Sequence, residues 1–102
     1  MDFNKDLEGR GIWWLLHQTA ANAKKSRHIN AVLYNIEIIK SNFECPKCKK
    51  HFKKFIKYND PYLYAKQGKI FEWTILAHNN VNKMHGKKEW DINYAKSFYK
   101  IN

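Results

Sequence analysis

Apolar residues recur at intervals of three and four along most of the chain, and this spacing places them on one face of an α-helix. The clearest repeat consists of Ile29, Val32, Leu33, Ile36 and Ile39. The periodicity predicts four main helices, over residues 9–25, 26–42, 46–58 and 70–85, with turns at 59–61 and 67–68. No segment alternates convincingly between apolar and polar residues, so the pattern does not predict a β-sheet.

Residues typical of helix ends support these boundaries. Ser26 is a candidate N-cap, and Pro46 suits the first position of a helix because its ring fixes φ. Gly86 suits a helix C-terminus, where a left-handed residue is common. Asp91 is placed to cap a short last helix that carries Tyr94, Ala95, Phe98 and Ile101. The sequence therefore predicts an all-α fold, a four-helix bundle with a short fifth helix.

The composition agrees with one domain over residues 1–102. The chain has 102 residues, and its 44% apolar and 16% aromatic content is not that of a disordered tail. No run approaches the roughly 20 apolar residues that span a bilayer, and the N-terminus lacks the pattern of a secretory signal. Two cysteines are too few for a disulfide scaffold.

The charge is strongly positive, with 19 Lys and Arg against 9 Asp and Glu and a net charge of +10. Such an excess first suggests a nucleic acid as the partner. The motifs that could carry chemistry have to be weighed against that suggestion.

The sequence Cys45-Pro46-Lys47-Cys48 contains the two cysteines at the start of a predicted helix. Unpaired backbone N–H groups and nearby lysines favour a thiolate there, so a dithiol/disulfide redox couple is physically reasonable. The pair is equally compatible with half of a zinc site, in which His51 and a more distant histidine complete the ligands. In that alternative the protein is a zinc-binding, nucleic-acid-binding module.

A polar segment interrupts the apolar pattern of the fourth predicted helix. It reads His78-Asn79-Asn80-Val81-Asn82, with His85 one turn further on. Asparagine is a poor helix former, and several within one helix break a local rule of the kind that functional sites break. A solvated polar face is the simpler alternative. Because Trp73 and Trp90 flank the segment, we favour a ligand with a flat aromatic group and several hydrogen-bonding edges, such as a flavin nucleotide.

A third motif lies near the N-terminus, where Arg10, Trp13 and His17 fall on one side of a helix. Taken in order, the motifs GRxxWxxxH, CxxCxxHF and WxxxxHNxVNxxxGK resemble those of the Erv/ALR family of FAD-dependent sulfhydryl oxidases. The resemblance extends over residues 7–99. It implies a four-helix bundle with FAD at one end, and a thiol oxidase that passes electrons from substrate dithiols to FAD and then to oxygen, giving hydrogen peroxide.

The resemblance also assigns roles to particular residues. Cys48 corresponds to the cysteine next to the flavin, and Cys45 to the one that exchanges with the substrate. No metal is implied. The predicted FAD-site residues are Gly9, Arg10, Trp13, His17, His51, Trp73, His78, Asn79, Val81, Asn82, His85, Lys87, Trp90 and Tyr99.

The partners implied are a protein dithiol or thioredoxin-like substrate, molecular oxygen and a second copy of the chain, packed through the first two helices. Neither a nucleic acid nor a membrane is expected, and an acidic protein substrate accounts for part of the positive charge. Ile75 and Ile92 stand where many cellular relatives have a further disulfide. The chain is in this respect similar to the minimal, virally encoded members, which predicts a cytoplasmic protein, in the host cytoplasm if viral.

Overall fold

A computed structural model describes residues 11–43 and 45–100 of the chain, and over these residues the backbone forms α-helices and no strand. In chain order the helices are α1 Ile12–Ala21, α2 Ser26–Asn42, α3 Pro46–Tyr58, α4 Pro61–Lys66, α5 Ile70–Met84 and α6 Ile92–Phe98. The predicted all-α fold is confirmed. The expected start of the first helix at residue 9 and the position of Ile101 lie outside the described residues.

The short helix α4 is the main difference from the predicted arrangement. Asp60 and Pro61 end α3, as expected, but they also begin a new helix. The Asp60 carboxylate accepts a hydrogen bond from the Tyr62 N–H (2.9 Å), and proline tolerates the first helical position because its missing N–H has no acceptor there. The same residues that break one helix therefore supply both start signals of the next.

The structure also fixes the helix ends. Ser26 is the first residue of α2 rather than its cap, because Lys25 occupies the cap position without a side-chain hydrogen bond. Asp91 caps α6 as predicted, accepting from the Tyr94 N–H (3.0 Å). Gly86 ends α5 with φ of 69°, and the following Lys87 N–H donates to the Asn82 carbonyl (2.7 Å). This left-handed turn is the predicted C-terminal stop.

Helix α5 is the centre of the bundle and packs against α1, α3, α4 and α6. Its Trp73, Ile75 and Ala77 side chains are almost completely buried. Helix α2 covers the other side of α1 and contributes Val32 and Ile36 to the core. Every main helix thus contributes its apolar face to one core, which fixes how the faces of α1, α3 and α5 meet.

Helix α6 is held to α5 by packing and by one ion pair. Ala95 is completely buried, and Ile92 packs against the same core as Ile75. Lys96 and Glu72 form a salt bridge of 2.9 Å between the two helices. Within the described residues, none of the helices combines the length and apolar character that crossing a membrane requires.

Candidate active site

A cavity of about 840 Å³ lies between α1, the start of α3, the second half of α5 and α6. Its walls combine two thiols, three imidazoles, one amide and several aromatic rings. The predicted residues that line it are Trp13, His17, Cys45, Cys48, His78, Val81, Asn82, His85, Lys87, Trp90 and Tyr99. Three separate motifs of the sequence therefore meet at one cavity.

Three further side chains also line the cavity, although the sequence did not single them out as site residues: Trp14, Phe43 and Phe98. Trp14 and Phe98 are both more than half exposed, which is unusual for large apolar side chains. Phe43 lies just before the cysteine motif, and that position was the available signal for it. The two exposed rings carried no signal, since helical periodicity alone assigns them to the surface or the core.

Trp73 was predicted at the cofactor site, but the structure places it in the core with 0% of its surface exposed. Its indole N–H donates to the Asn59 carbonyl (2.6 Å), and its ring contacts Phe52 and Phe55 edge-on or tilted. The residue therefore joins α5 to the end of α3. Trp73 thus belongs to the motif through its place in the core of α5, and it does not line the cavity.

Asn79 and His51 also lie away from the cavity lining. The Asn79 amide donates to the Trp90 carbonyl (2.8 Å) and accepts from the Trp90 N–H (2.7 Å). This two-way bond holds the backbone of Trp90, so Asn79 acts on the site through that residue. His51 is exposed on α3. Gly9 and Arg10 lie outside the described residues.

The two cysteines stand at the start of α3, where Cys45 is the N-cap and Pro46 the first helical residue. The Cys45 sulfur is exposed and accepts a hydrogen bond from the Cys48 N–H (3.3 Å). Hydrogen bonds from the Cys48 side chain and backbone, and then the N–H and charge of Lys47, lower the pKa of the Cys45 thiol. Cys48 is more buried than Cys45. The pair thus offers one sulfur to solvent and a second deeper in the cavity wall.

A histidine pair in the wall of this cavity joins α1 to α5. His17 Nε2 lies 2.9 Å from His78 Nδ1, and His17 Nδ1 lies 2.9 Å from the Thr74 hydroxyl. The His78 ring stacks on Trp13 with centroids 4.5 Å apart and an angle of 3° between planes. Thr74 was not predicted, because no sequence pattern marks a partner 57 positions away from His17.

Both imidazoles are held in the neutral form. Burial, followed by the neighbouring His78, lowers the pKa of His17 to about 3. Burial, followed by the charge of Lys87, lowers the pKa of His78 to about 4. Burial also raises the pKa of Tyr99, whose ring contacts His17 edge-on at 5.5 Å. Near neutral pH the deep part of the cavity is therefore uncharged, and Lys87 supplies a cation at its lining.

The zinc alternative requires at least three metal-ligating side chains at one place. Across residues 11–43 and 45–100, no group of three or more His, Cys, Asp or Glu side chains is arranged to hold a metal ion.

Comparison with known proteins gives one family and two relatives. The sequence model described as the Erv1 / Alr family matches residues 10–101. The chain is 30% identical to the mitochondrial FAD-linked sulfhydryl oxidase ERV1 of Saccharomyces cerevisiae, over 90% of this chain and 50% of that protein. It is 33% identical to the FAD-linked sulfhydryl oxidase ERV1 of Oryza sativa subsp. japonica, over 81% of this chain and 44% of that protein. The chain thus spans about half the length of these relatives. No solved structure gave a significant match.

Proposed function

The chain belongs to the Erv1/Alr family, and we propose that it is a FAD-dependent thiol oxidase that forms disulfide bonds in protein substrates. One observation carries the proposal: the thiols of Cys45 and Cys48 line the same cavity as a stacked Trp13–His78 pair and Lys87. A redox-active sulfur pair and a site for a flat, anionic cofactor are therefore neighbours. Both relatives are named as FAD-linked sulfhydryl oxidases.

The cavity fits FAD in size and in chemistry. Its volume of about 840 Å³ is in the upper range of small-molecule pockets, which span roughly 300–1,000 Å³. Trp13, His78 and Trp90 offer flat faces for a ring system, and Lys87 offers a positive charge for the pyrophosphate. We propose that His17, Val81, Asn82, His85 and Tyr99 complete the site. When bound, FAD supplies an acceptor for two electrons that molecular oxygen can reoxidise, giving hydrogen peroxide.

The cysteines carry out the exchange with the substrate. A substrate thiolate attacks the Cys45 sulfur of the Cys45–Cys48 disulfide, forming a mixed disulfide and releasing Cys48 as a thiolate. A second substrate thiolate attacks its own sulfur in the mixed disulfide, which forms the substrate disulfide and releases Cys45. The substrate loses two electrons, and the cysteine pair gains them. The exposure of Cys45 and the deeper position of Cys48 support this order of attack.

The electrostatics of the helix start favour Cys45 as the exchanging sulfur. The Cys48 N–H and Lys47 stabilise a negative charge on Cys45, so this sulfur is a good leaving group in the final step. The lowered pKa of the Cys45 thiol thus favours its departure as a thiolate.

A row of lysines next to Cys45 supports an acidic protein as the substrate. Helix α3 exposes four lysines at spacings of three and four, which we call the lysine face: Lys47, Lys50, Lys54 and Lys57. They extend about 15 Å from the cysteine motif, at 1.5 Å per residue. Helix α3 contains no acidic residue. A dithiol segment flanked by Asp or Glu would be attracted to this face when its sulfur reaches Cys45.

Charge reversal tests the substrate proposal. In Lys50→Glu/Lys54→Glu, we expect KM for a dithiol peptide with acidic flanks to rise about fivefold, while kcat with the uncharged dithiothreitol stays unchanged. Lys66→Glu/Lys69→Glu, with both changes on exposed residues around α4, is the matched control. An equal effect of both pairs, or preferential binding of an oligonucleotide over the peptide, would contradict the proposal.

An exposed apolar surface supports the homodimer. Ile12 of α1 and Ile38 of α2 line one small cavity of about 100 Å³. Leu15 and Tyr34, each one turn away on the same helix, have 53% and 67% of their surfaces exposed. We propose that this α1–α2 apolar surface pairs with the same surface of a second copy in a two-fold dimer.

The oligomeric state tests this arrangement. Sedimentation should show a dimer, and Leu15→Glu should shift it to monomer. Leu63→Glu, at an equally exposed leucine of α4, should remain dimeric. A monomeric unmodified protein would refute this arrangement.

The activity has a direct test. Purified protein should be yellow, with the flavin band at about 450 nm, and should consume oxygen when dithiothreitol is added. Cys45→Ser and Cys48→Ser should keep the flavin band and the helical circular dichroism spectrum but lose oxygen consumption. A colourless protein that contains stoichiometric zinc, or full turnover by either variant, would refute the proposed function.

A further inference from the structure

A chain of hydrogen bonds leads from the backbone of α5 through two histidines to the cavity lining. We infer that Thr74 is a positioning residue: it fixes the tautomers of His17 and His78, so that His78 offers an unprotonated Nε2 that can accept a hydrogen bond from a bound ligand. These hydrogen bonds join residues of the protein itself, so the tautomers do not depend on a ligand. Only their consequence for FAD rests on the proposed function.

The first step concerns the Thr74 hydroxyl proton. The hydroxyl oxygen lies 2.6 Å from the Phe71 carbonyl oxygen, and two oxygens this close require a proton between them. The carbonyl has none, so the Thr74 hydroxyl is the donor. The same oxygen lies 2.9 Å from His17 Nδ1. Because its own proton is engaged, Thr74 accepts from His17, and Nδ1 of His17 must carry a proton.

The second step passes this assignment to His78. A neutral imidazole carries one N–H, so His17 Nε2 has a lone pair. This nitrogen lies 2.9 Å from His78 Nδ1, which must therefore be the donor. The only proton of neutral His78 is then on Nδ1, which leaves a lone pair on Nε2. Both histidines thus have the proton on Nδ1, the less common tautomer of histidine in water.

This arrangement determines what kind of ligand group His78 can meet. The two ring nitrogens point in roughly opposite directions, so Nε2 lies on the ring edge away from His17. An acceptor nitrogen favours an amino N–H or a hydroxyl of the ligand and disfavours a phosphate or carbonyl oxygen. FAD has amino and hydroxyl donors in its nucleoside and ribityl parts. We therefore assign the phosphates to Lys87 and a donor group to His78.

The test observes the tautomers themselves, in ligand-free and FAD-loaded protein. Nitrogen-15 NMR of histidine-labelled protein distinguishes a protonated ring nitrogen from an unprotonated one, and His17→Gln and His78→Gln assign the signals. We expect His17 and His78 both to show a protonated Nδ1 and an unprotonated Nε2. A protonated Nε2 on His78 in the unmodified protein would overturn the inference, whether or not FAD binds.

Substitutions of Thr74 separate the hydroxyl from the shape of the side chain. Thr74→Val leaves the His17 proton without an acceptor, so we expect the proton of His78 to move to Nε2 and FAD to bind about fivefold more weakly. Thr74→Ser should retain the native tautomers and affinity. Thr19→Val is the control, since that hydroxyl bonds to two backbone carbonyls (2.8 and 3.1 Å) and does not line the cavity.

The outcomes distinguish the two proposals. Unchanged histidine signals in Thr74→Val, or a loss of the native tautomers in Thr74→Ser, would show that Thr74 does not set them. A protein with the expected tautomers that binds no FAD would refute the proposed cofactor while leaving the role of Thr74 intact. If Thr74→Val does not fold, the unmodified protein and Thr74→Ser still decide the tautomers.

Discussion

Lowering the pH from 7 to 5 should destabilise the ligand-free protein, because the fold keeps His17 neutral. The pKa of His17 is about 3 in the folded protein and 6.5 without the fold. Between these values the unfolded chain binds a proton that the folded chain does not. The stabilisation is therefore fully present above about pH 6.5 and is lost as the pH falls toward 3. His78, with a pKa of about 4, acts in the same direction.

The size of the effect follows from the pKa difference. Each pH unit below the unfolded pKa removes about 1.4 kcal/mol of the free energy of unfolding per histidine. A pH of 5 lies one and a half units below the pKa of the unfolded chain. His17 alone should therefore remove about 2 kcal/mol from the free energy of unfolding. Solvent does not weaken this effect on the free energy of unfolding, because only 2% of the His17 surface is exposed. That loss is a large fraction of a domain stability of roughly 5–15 kcal/mol.

Urea unfolding at pH 7 and pH 5, at one protein concentration, measures the difference. In His17→Gln the loss between the two pH values should shrink by about 2 kcal/mol, whatever that substitution does to the stability at pH 7. His28→Gln, at an exposed position of α2, should retain the full loss. An unmodified protein whose free energy of unfolding differs by less than about 0.5 kcal/mol between pH 7 and pH 5 would refute the neutral, buried state of His17.

Three substitutions test the contacts that shape the site. Asn79→Ala removes both hydrogen bonds to the Trp90 backbone and should lower the free energy of unfolding by about 1–3 kcal/mol, with a change in tryptophan fluorescence; an unchanged urea midpoint would contradict the clamp. Gly86→Ala forces a side chain into a left-handed turn and should reduce stability by about 1–2 kcal/mol, although nothing crowds its Cβ. Lys96→Met breaks the partly exposed bridge to Glu72 and should change stability by less than about 1 kcal/mol. A larger loss would mean that this bridge is the main tie between α5 and α6.

The helices were predictable because their signals are local. The apolar repeat of α2, proline at the start of α3 and glycine after α5 each act within a few residues. Helix α4 was missed for the same reason: Asp60 and Pro61 give the signals of a break and of a start, and a helix of six residues has too short a repeat to distinguish them. Local chemistry thus specifies where helices begin and end better than which short ones exist.

The site was predictable in outline but not in its roles. Residues of the motifs in α1, α3 and α5 line one cavity, and their part in binding FAD stays a prediction. Trp73 and Asn79 carry the motif spacing, yet one is a core residue and the other bonds a backbone segment. Thr74 has no motif signal, although it bonds His17 directly. Sequence spacing assigns residues to a helix face, whereas a partner on another helix depends on packing across the whole bundle.

The buried histidine pair makes folding and cofactor binding interdependent. His17 belongs to the core as much as to the cavity, so a protein of this size has little core that is independent of its site. A ligand that binds only the folded state adds about 2.7 kcal/mol at a concentration 100 times its Kd. This gain is similar in size to the roughly 2 kcal/mol that His17 removes at pH 5. FAD at that concentration should therefore offset at pH 5 the loss that His17 causes and part of the further loss that His78 causes. A free energy of unfolding at pH 5 that does not rise when FAD is added would show that FAD does not bind the folded protein at this pH.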